Sequence, residues 1–199
     1  MIEMSQSGVY ALVLEIPERA TLSAGRRRFE IPRCACVYCG SAMGPGGVEA
    51  RVARHLRLYA RGGAGRPHWH IDRLLAVASS VTAVSAHTVA RRECDLAKAL
   101  GSMGMVPVEG FGSTDCRSGC GSHLFCTWRG WDWAVLRVAA AMRKMGLEPT
   151  VSGRTGRQIE KEKWEGQGEE VGRGEGGVRK EKGAGGGNVR KGRRGAGAG

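Results

Sequence analysis

The composition of this chain breaks near Pro149, and the break sets what can fold. From Val151 to Gly199 the sequence holds 16 of the 33 glycines and 12 Lys and Arg against 7 Glu. Its only bulky apolar residues are Val151, Ile159, Trp164, Val171, Val178 and Val189. A segment so poor in apolar surface cannot offset the entropy lost on ordering it. A disordered basic Gly-rich tail is therefore expected over 148–199, with one ordered domain over 1–147. The tail's basic residues suit a salt-sensitive arm for nucleic acid, or simply a solubilising extension.

All five histidines precede the break, and 41% of the chain is hydrophobic, enough for an ordinary core. No apolar run reaches the length of a membrane span, so no membrane partner is expected. The N-terminal MIEMSQSG lacks the basic-then-apolar pattern of a signal peptide. Lys and Arg number 31 against 19 acids, a net charge of +12. That balance favours a polyanionic partner such as nucleic acid. There are seven cysteines, at 34, 36, 39, 94, 116, 120 and 126. An odd count without a secretion signal points to free thiols or metal ligands in a reducing cytoplasm.

Gly8–Ile16 is apolar and β-rich and reads as a core strand. Arg26–Ile31 and Cys34–Ser41 read as further strands. After the Gly44-Pro-Gly-Gly47 turn, Val48, Val52, Leu56 and Tyr59 fall on one helical stripe. His68–Asp72 reads as an extended segment, Val81–Val84 as a strand, and Thr88–Gly101 as a helix. Val106–Gly112 reads as a strand and turn, and Trp133–Met145 as an amphipathic helix stopped by Gly146. Strands followed by interleaved helices give an α+β fold with a small, mostly antiparallel sheet.

The tripeptides Gly8-Val-Tyr10 and Tyr38-Cys-Gly40 resemble the half-motifs of the GIY-YIG nuclease superfamily. Further blocks follow in order: Arg51-Val-Ala-Arg-His-Leu56, His68-Trp-His-Ile-Asp72, Glu93-Cys-Asp-Leu-Ala97, Gly110–Cys116 and Cys120–Phe125. This set, covering about Ser7 to Thr127, resembles the Uri-type endonuclease family related to that superfamily. The resemblance implies a three-stranded antiparallel sheet flanked by helices. It also implies phosphodiester hydrolysis with one divalent cation, Mg²⁺ or Mn²⁺, acting on DNA more readily than RNA. A link to a DNA-repair enzyme is a further implication. By the same resemblance Tyr10 and Tyr38 are the motif tyrosines, Arg51 faces the phosphate, His55 occupies a Tyr-or-His helix position, and Glu93 holds the cation.

Elementary chemistry is consistent with those roles. Hydrolysis needs an attacking water, a hard-cation ligand and positive charge at the phosphate. A single carboxylate can suffice for Mg²⁺, which keeps several waters. Arg51 and His55 are spaced i, i+4 and share a helix face. Each residue also has a plainer reading: core aromatics for the tyrosines, a solvated face for Arg51 and His55, and a surface ion pair for Glu93 beside Arg91 and Arg92. The pattern departs from the superfamily in three places. Its usual asparagine is missing, since the only Asn is Asn188 in the tail. The Tyr10–Tyr38 separation also implies an extra hairpin around Glu18–Arg33. Arg33-Cys-Ala-Cys-Val37 replaces the expected glycine-aromatic approach to the second half-motif.

Two clusters within that set offer further ligating side chains. In His68-Trp-His70 with Asp72, His70 and Asp72 are candidates for catalysis or ligation. Cys116, Cys120 and His123 form a C-x₃-C-x₂-H set suited to structural Zn²⁺ if a fourth ligand exists. Cys94, Cys126, His68, Cys34, Cys36 or Cys39 could supply it, and Asp115 could instead join the active site. Trp128, Trp131 and Trp133 read as packing aromatics rather than a base-stacking platform. The leading expectation is a metal-dependent DNA endonuclease. A non-catalytic nucleic-acid-binding module and a zinc-stabilised interaction domain are the other two readings.

Overall fold

A computed structural model describes residues 7–24, 27–63, 70–114, 116, 118–153 and 155–156. His68, Trp69, Asp115 and the chain beyond residue 156 lie outside them. The elements run β1 (Gly8–Ile16), β2 (Ala20–Ala24), β3 (Arg27–Ile31), β4 (Cys34–Ala42), α1 (Gly47–Ala60), α2 (His70–Val77) and β5 (Ser80–His87). They continue with α3 (Glu93–Ser102), β6 (Val106–Pro107), β7 (Leu124–Thr127), α4 (Trp131–Lys144), β8 (Thr150–Val151) and β9 (Thr155–Gly156).

The class is α+β, as expected, but the sheet is larger than three strands. Seven strands join in the order β6-β7-β4-β1-β5-β8, with β9 also on β5, and every pairing is antiparallel. Two-residue strands such as β6, β8 and β9 carry too little periodicity to be read from sequence. β8 and β9 extend the sheet past residue 147. The hairpin implied between the two tyrosines is present as β2–β3, a separate ribbon.

β1 lies between β4 and β5 and is buried on both faces. Tyr10, Leu12, Leu14 and Ile16 join a core with Val48 and Tyr59 of α1 and Ile71, Leu74 and Leu75 of α2. Val9, Ala11 and Val13 meet Leu96, Leu100, Val138 and Met142 of α3 and α4 on the other side. A strand covered on both faces has no polar alternation, which explains its continuous apolar run.

One sequence expectation fails here. Residues from His70 onward form α2, not an extended segment. Ile71, Leu74 and Leu75 recur at helical spacing and are all fully buried. Burying each leucine contributes about 1.5–3 kcal/mol, which outweighs the weak intrinsic stability of eight residues of helix. The helix expected from Thr88 begins at Glu93, because Thr88 Oγ1 instead caps the turn by accepting the Ala90 N–H at 3.2 Å. Among the described residues no helix is long and apolar enough to cross a membrane.

Candidate active site and metal-binding cluster

Tyr10 on β1 and Tyr38 on β4 point from the same face of the sheet. The register sets Tyr10 opposite Gly40 and Leu12 opposite Tyr38, so the two phenols are diagonal neighbours. Gly40 is required there. A Cβ at residue 40 would lie 2.5 Å from Cζ and Oη of Tyr10, so the ring occupies the space that glycine leaves.

The Tyr10 hydroxyl lies 3.0 Å from Nε2 of His55, and the two rings are tilted at 40°. His55 is fully buried, so the solvated-face reading of this helix position is excluded. Its Nδ1 lies 4.0 Å from Oδ1 of Asp72 on α2. The Asp72 carboxylate favours a proton on Nδ1, which leaves Nε2 to accept from Tyr10. Asp72 is itself buried and is held by both nitrogens of the Arg54 fork, at 3.3 and 3.0 Å. Burial lowers the His55 pKa to about 4, with Arg54 and Arg51 adding to the effect and Asp72 opposing it. The imidazole is neutral at neutral pH.

Burial raises the Tyr10 phenol well above its ordinary range. Tyr38 adds to that, while Arg51 and Arg54 oppose it. Burial also pushes the Tyr38 phenol up to about 12; Cys39 raises it further, Arg51 lowers it, and Asp72 and Glu93 raise it. Arg51 thus acts on all three of Tyr10, Tyr38 and His55, and the charge of Glu93 reaches Tyr38. Six sequence-predicted residues, Tyr10, Tyr38, Arg51, His55, Asp72 and Glu93, are thus linked electrostatically.

Glu93 opens α3 and accepts a hydrogen bond from the Ser41 hydroxyl on β4. The surface ion pair in that turn forms between Arg92 and Asp95 instead, at 2.6 Å. Glu93 remains half-buried, and its charge reaches Tyr38. A lone, partly accessible carboxylate of this kind suits a hard cation that keeps most of its waters.

His70 is placed differently from the other candidates. Its ring packs against Phe29 and Phe111, with centroids at 6.3 and 5.7 Å. Phe111 in turn meets Tyr38 edge-on at 6.3 Å. His70 therefore borders the site through an aromatic wall. Trp131 and Trp133 pack against the α3–α4 core, and Arg129 and Arg137 lie over the Trp133 ring. Trp128 is 62% exposed.

The thiol set gains its fourth member from Cys94. Sulfur atoms of Cys94, Cys116 and Cys120 lie 2.8–3.4 Å apart, and His123 Nε2 is 2.9 Å from Cys120 and 3.7 Å from Cys94. All four ligand atoms fall within 4.8 Å of one another and could hold a metal ion. Sequence spacing left Cys94 as one of six candidates, because the chain between α3 and the Cys116 loop has no fixed geometry until folded.

The cluster also borders the tyrosines. Cys94 follows Glu93 directly. Gly112, at φ +69, brings the Cys116 loop so close that a Cβ there would lie 3.0 Å from the Tyr38 ring and 3.3 Å from His123. Arg54 and Ser41 were not singled out from sequence. Both carried a signal of place alone, Arg54 between Arg51 and His55 in the helix block and Ser41 in the Tyr38-Cys-Gly-Ser-Ala42 block.

Residues 9–146 match the family described as Domain of unknown function DUF123. No curated protein and no solved structure matches the chain.

Proposed function

The chain belongs to the DUF123 family, a domain of unknown function, and we propose that it is a metal-dependent phosphodiesterase of the GIY-YIG type, acting on DNA in a repair setting. The observation that carries this reading is the buried Tyr10–His55 contact at 3.0 Å beside Arg51, Tyr38 and Glu93. A buried Tyr10–His55 pair, with the Arg51 charge acting on both and on Tyr38, has no packing rationale that a Phe or Leu would not serve better.

In this reading Arg51 holds two oxygens of the scissile phosphate with its planar fork. A divalent cation on Glu93 would polarise the phosphate and stabilise developing charge. Tyr10 takes a proton from the attacking water while its own proton passes to Nε2 of His55. The resulting imidazolium faces Asp72, which the Arg54 fork holds in place. Tyr38, protonated at neutral pH, donates a hydrogen bond to the phosphate or the leaving oxygen.

The Cys94, Cys116, Cys120 and His123 cluster takes Zn²⁺ in this account. Three thiolates and one imidazole without an open position match a structural site. Zinc there would fasten the first turn of α3 to the Cys116 loop and so fix Glu93 and the wall over Tyr38. Cleavage of labelled DNA with Mg²⁺ or Mn²⁺, with Arg51→Ala and Glu93→Ala alongside, tests the proposal. Metal-dependent cutting lost in both variants supports it, and binding without cutting in either metal moves the chain to the accessory-module reading.

A further inference from the structure

Three more thiols gather away from both sites. Cys34 and Cys36 lie two apart on β4 and so share a face of the sheet. Cys126 on β7 stands directly opposite Cys36 in the antiparallel register. The Cys36 sulfur is 3.6 Å from that of Cys34 and 3.5 Å from that of Cys126. All three ligand atoms lie within 4.8 Å of one another, and all three residues are buried. None is in a disulfide.

A core position of this kind is filled most stably by a branched apolar side chain. Cross-strand pairing of three sulfurs instead builds a small, preformed, all-thiolate pocket on two rigid strands. Among the described residues, no imidazole or carboxylate joins this ligating group. Zinc in a structural site takes four ligands, which the Cys94 cluster provides and this one does not. Soft thiolates without nitrogen or oxygen partners select soft ions such as Cu(I). A trigonal site with metal–sulfur bonds of about 2.3 Å needs sulfurs about 4 Å apart. The Cys36 sulfur lies within about half an ångström of that spacing from each of the other two, at 3.6 and 3.5 Å, and all three fall within 4.8 Å. Entry is also provided. Cys34 and Arg33 line a cavity of about 590 Å³, together with Glu15, Ile16, Trp128 and Trp131.

We propose that Cys34, Cys36 and Cys126 form a second metal site that takes a soft thiophilic cation of the Cu(I) kind in three-coordinate thiolate geometry. The site is independent of the nuclease reading and of the Cys94 cluster.

The test uses the full-length, zinc-containing protein, titrated anaerobically with Cu(I) against bicinchoninate. Wild type should hold one tight equivalent more than Cys34→Ser, with the affinity of that equivalent falling more than about 100-fold in the variant. Cys120→Ser should keep it. Cys34 sits at the rim of the core, so serine there disturbs packing least. X-ray absorption at the copper edge of wild type, with zinc retained, should give three sulfur neighbours and no nitrogen. Equal copper equivalents in wild type and folded Cys34→Ser would overturn the proposal. Should Cys34→Ser misfold, the wild-type spectrum decides alone, and a nitrogen neighbour or only two sulfurs at copper would overturn it.

Discussion

Tyr10 on the central strand and His55 on the first helix, 45 positions apart in the chain, meet through Oη and Nε2 at 3.0 Å with both side chains buried. The contact exists because β1 and α1 pack face to face, and because Gly40 leaves room for the Tyr10 ring. It gives Nε2 of the buried histidine a hydrogen-bond partner.

The neutrality of His55 has a pH signature. The folded His55 pKa is about 4, against 6.5 for the free side chain. Between those values the unfolded chain binds a proton that the folded one does not, so stability falls as pH drops from 6.5 toward 4. The full effect approaches about 3 kcal/mol. Urea unfolding of wild type and His55→Gln at pH 7, 6, 5 and 4 measures it. The variant should lose stability less steeply over this window, and identical slopes would show that His55 does not titrate there.

The Arg54–Asp72 pair should be asymmetric. Asp72 is 2% exposed and Arg54 is 37% exposed. Arg54→Ala strands a buried carboxylate and should cost about 3 kcal/mol or more. Asp72→Ala releases Arg54 toward solvent and should cost less. Asp72→Asn in the Arg54→Ala background should recover part of the loss. Equal costs for the two single variants, read from denaturant midpoints, would contradict this account of the pair.

Gly40→Ala should be damaging despite adding one methyl group. The Cβ meets the Tyr10 ring at 2.5 Å, and forcing atoms into a packed core costs about 1–3 kcal/mol. The cost should be non-additive with Tyr10→Ala, which empties the space. Additive losses in the double variant would mean that ring and methyl group do not compete.

The four-ligand cluster should hold about one zinc per chain on purification, and Cys120→Ser should hold none. Removing zinc with a chelator should lower the melting temperature by about 5 °C or more. Cleavage should fall with it, because Cys94 adjoins Glu93. Elemental analysis beside a melting curve checks both. A purified, folded chain without zinc, and unable to bind it, would refute the assignment.

Much of this was legible in the sequence, for identifiable reasons. β1, α1 and α4 have long apolar runs or stripes, and the structure keeps them near the expected bounds. α2 is hidden because His68 and His70 have the two-residue spacing of an extended segment, while Ile71, Leu74 and Leu75 carry the helical one. β7 is four residues long and follows the cysteine set, so its strand character was hidden. Arg51, His55 and Glu93 could be named from their blocks, but not the Asp72–Arg54 brace behind His55. That brace depends on α1 packing against α2, which no local pattern encodes. The choice of Cys94 over five other candidates likewise needed the loop's path.

The most direct test of the central claim is cleavage of labelled single-stranded, duplex, flapped and branched DNA with Mg²⁺ or Mn²⁺, run on wild type and on folded Glu93→Ala. The account predicts metal-dependent cutting of at least one substrate by wild type. In the variant that cutting should fall by about 100-fold or more. Equal cutting by the two proteins, or none by wild type in either metal, would contradict it.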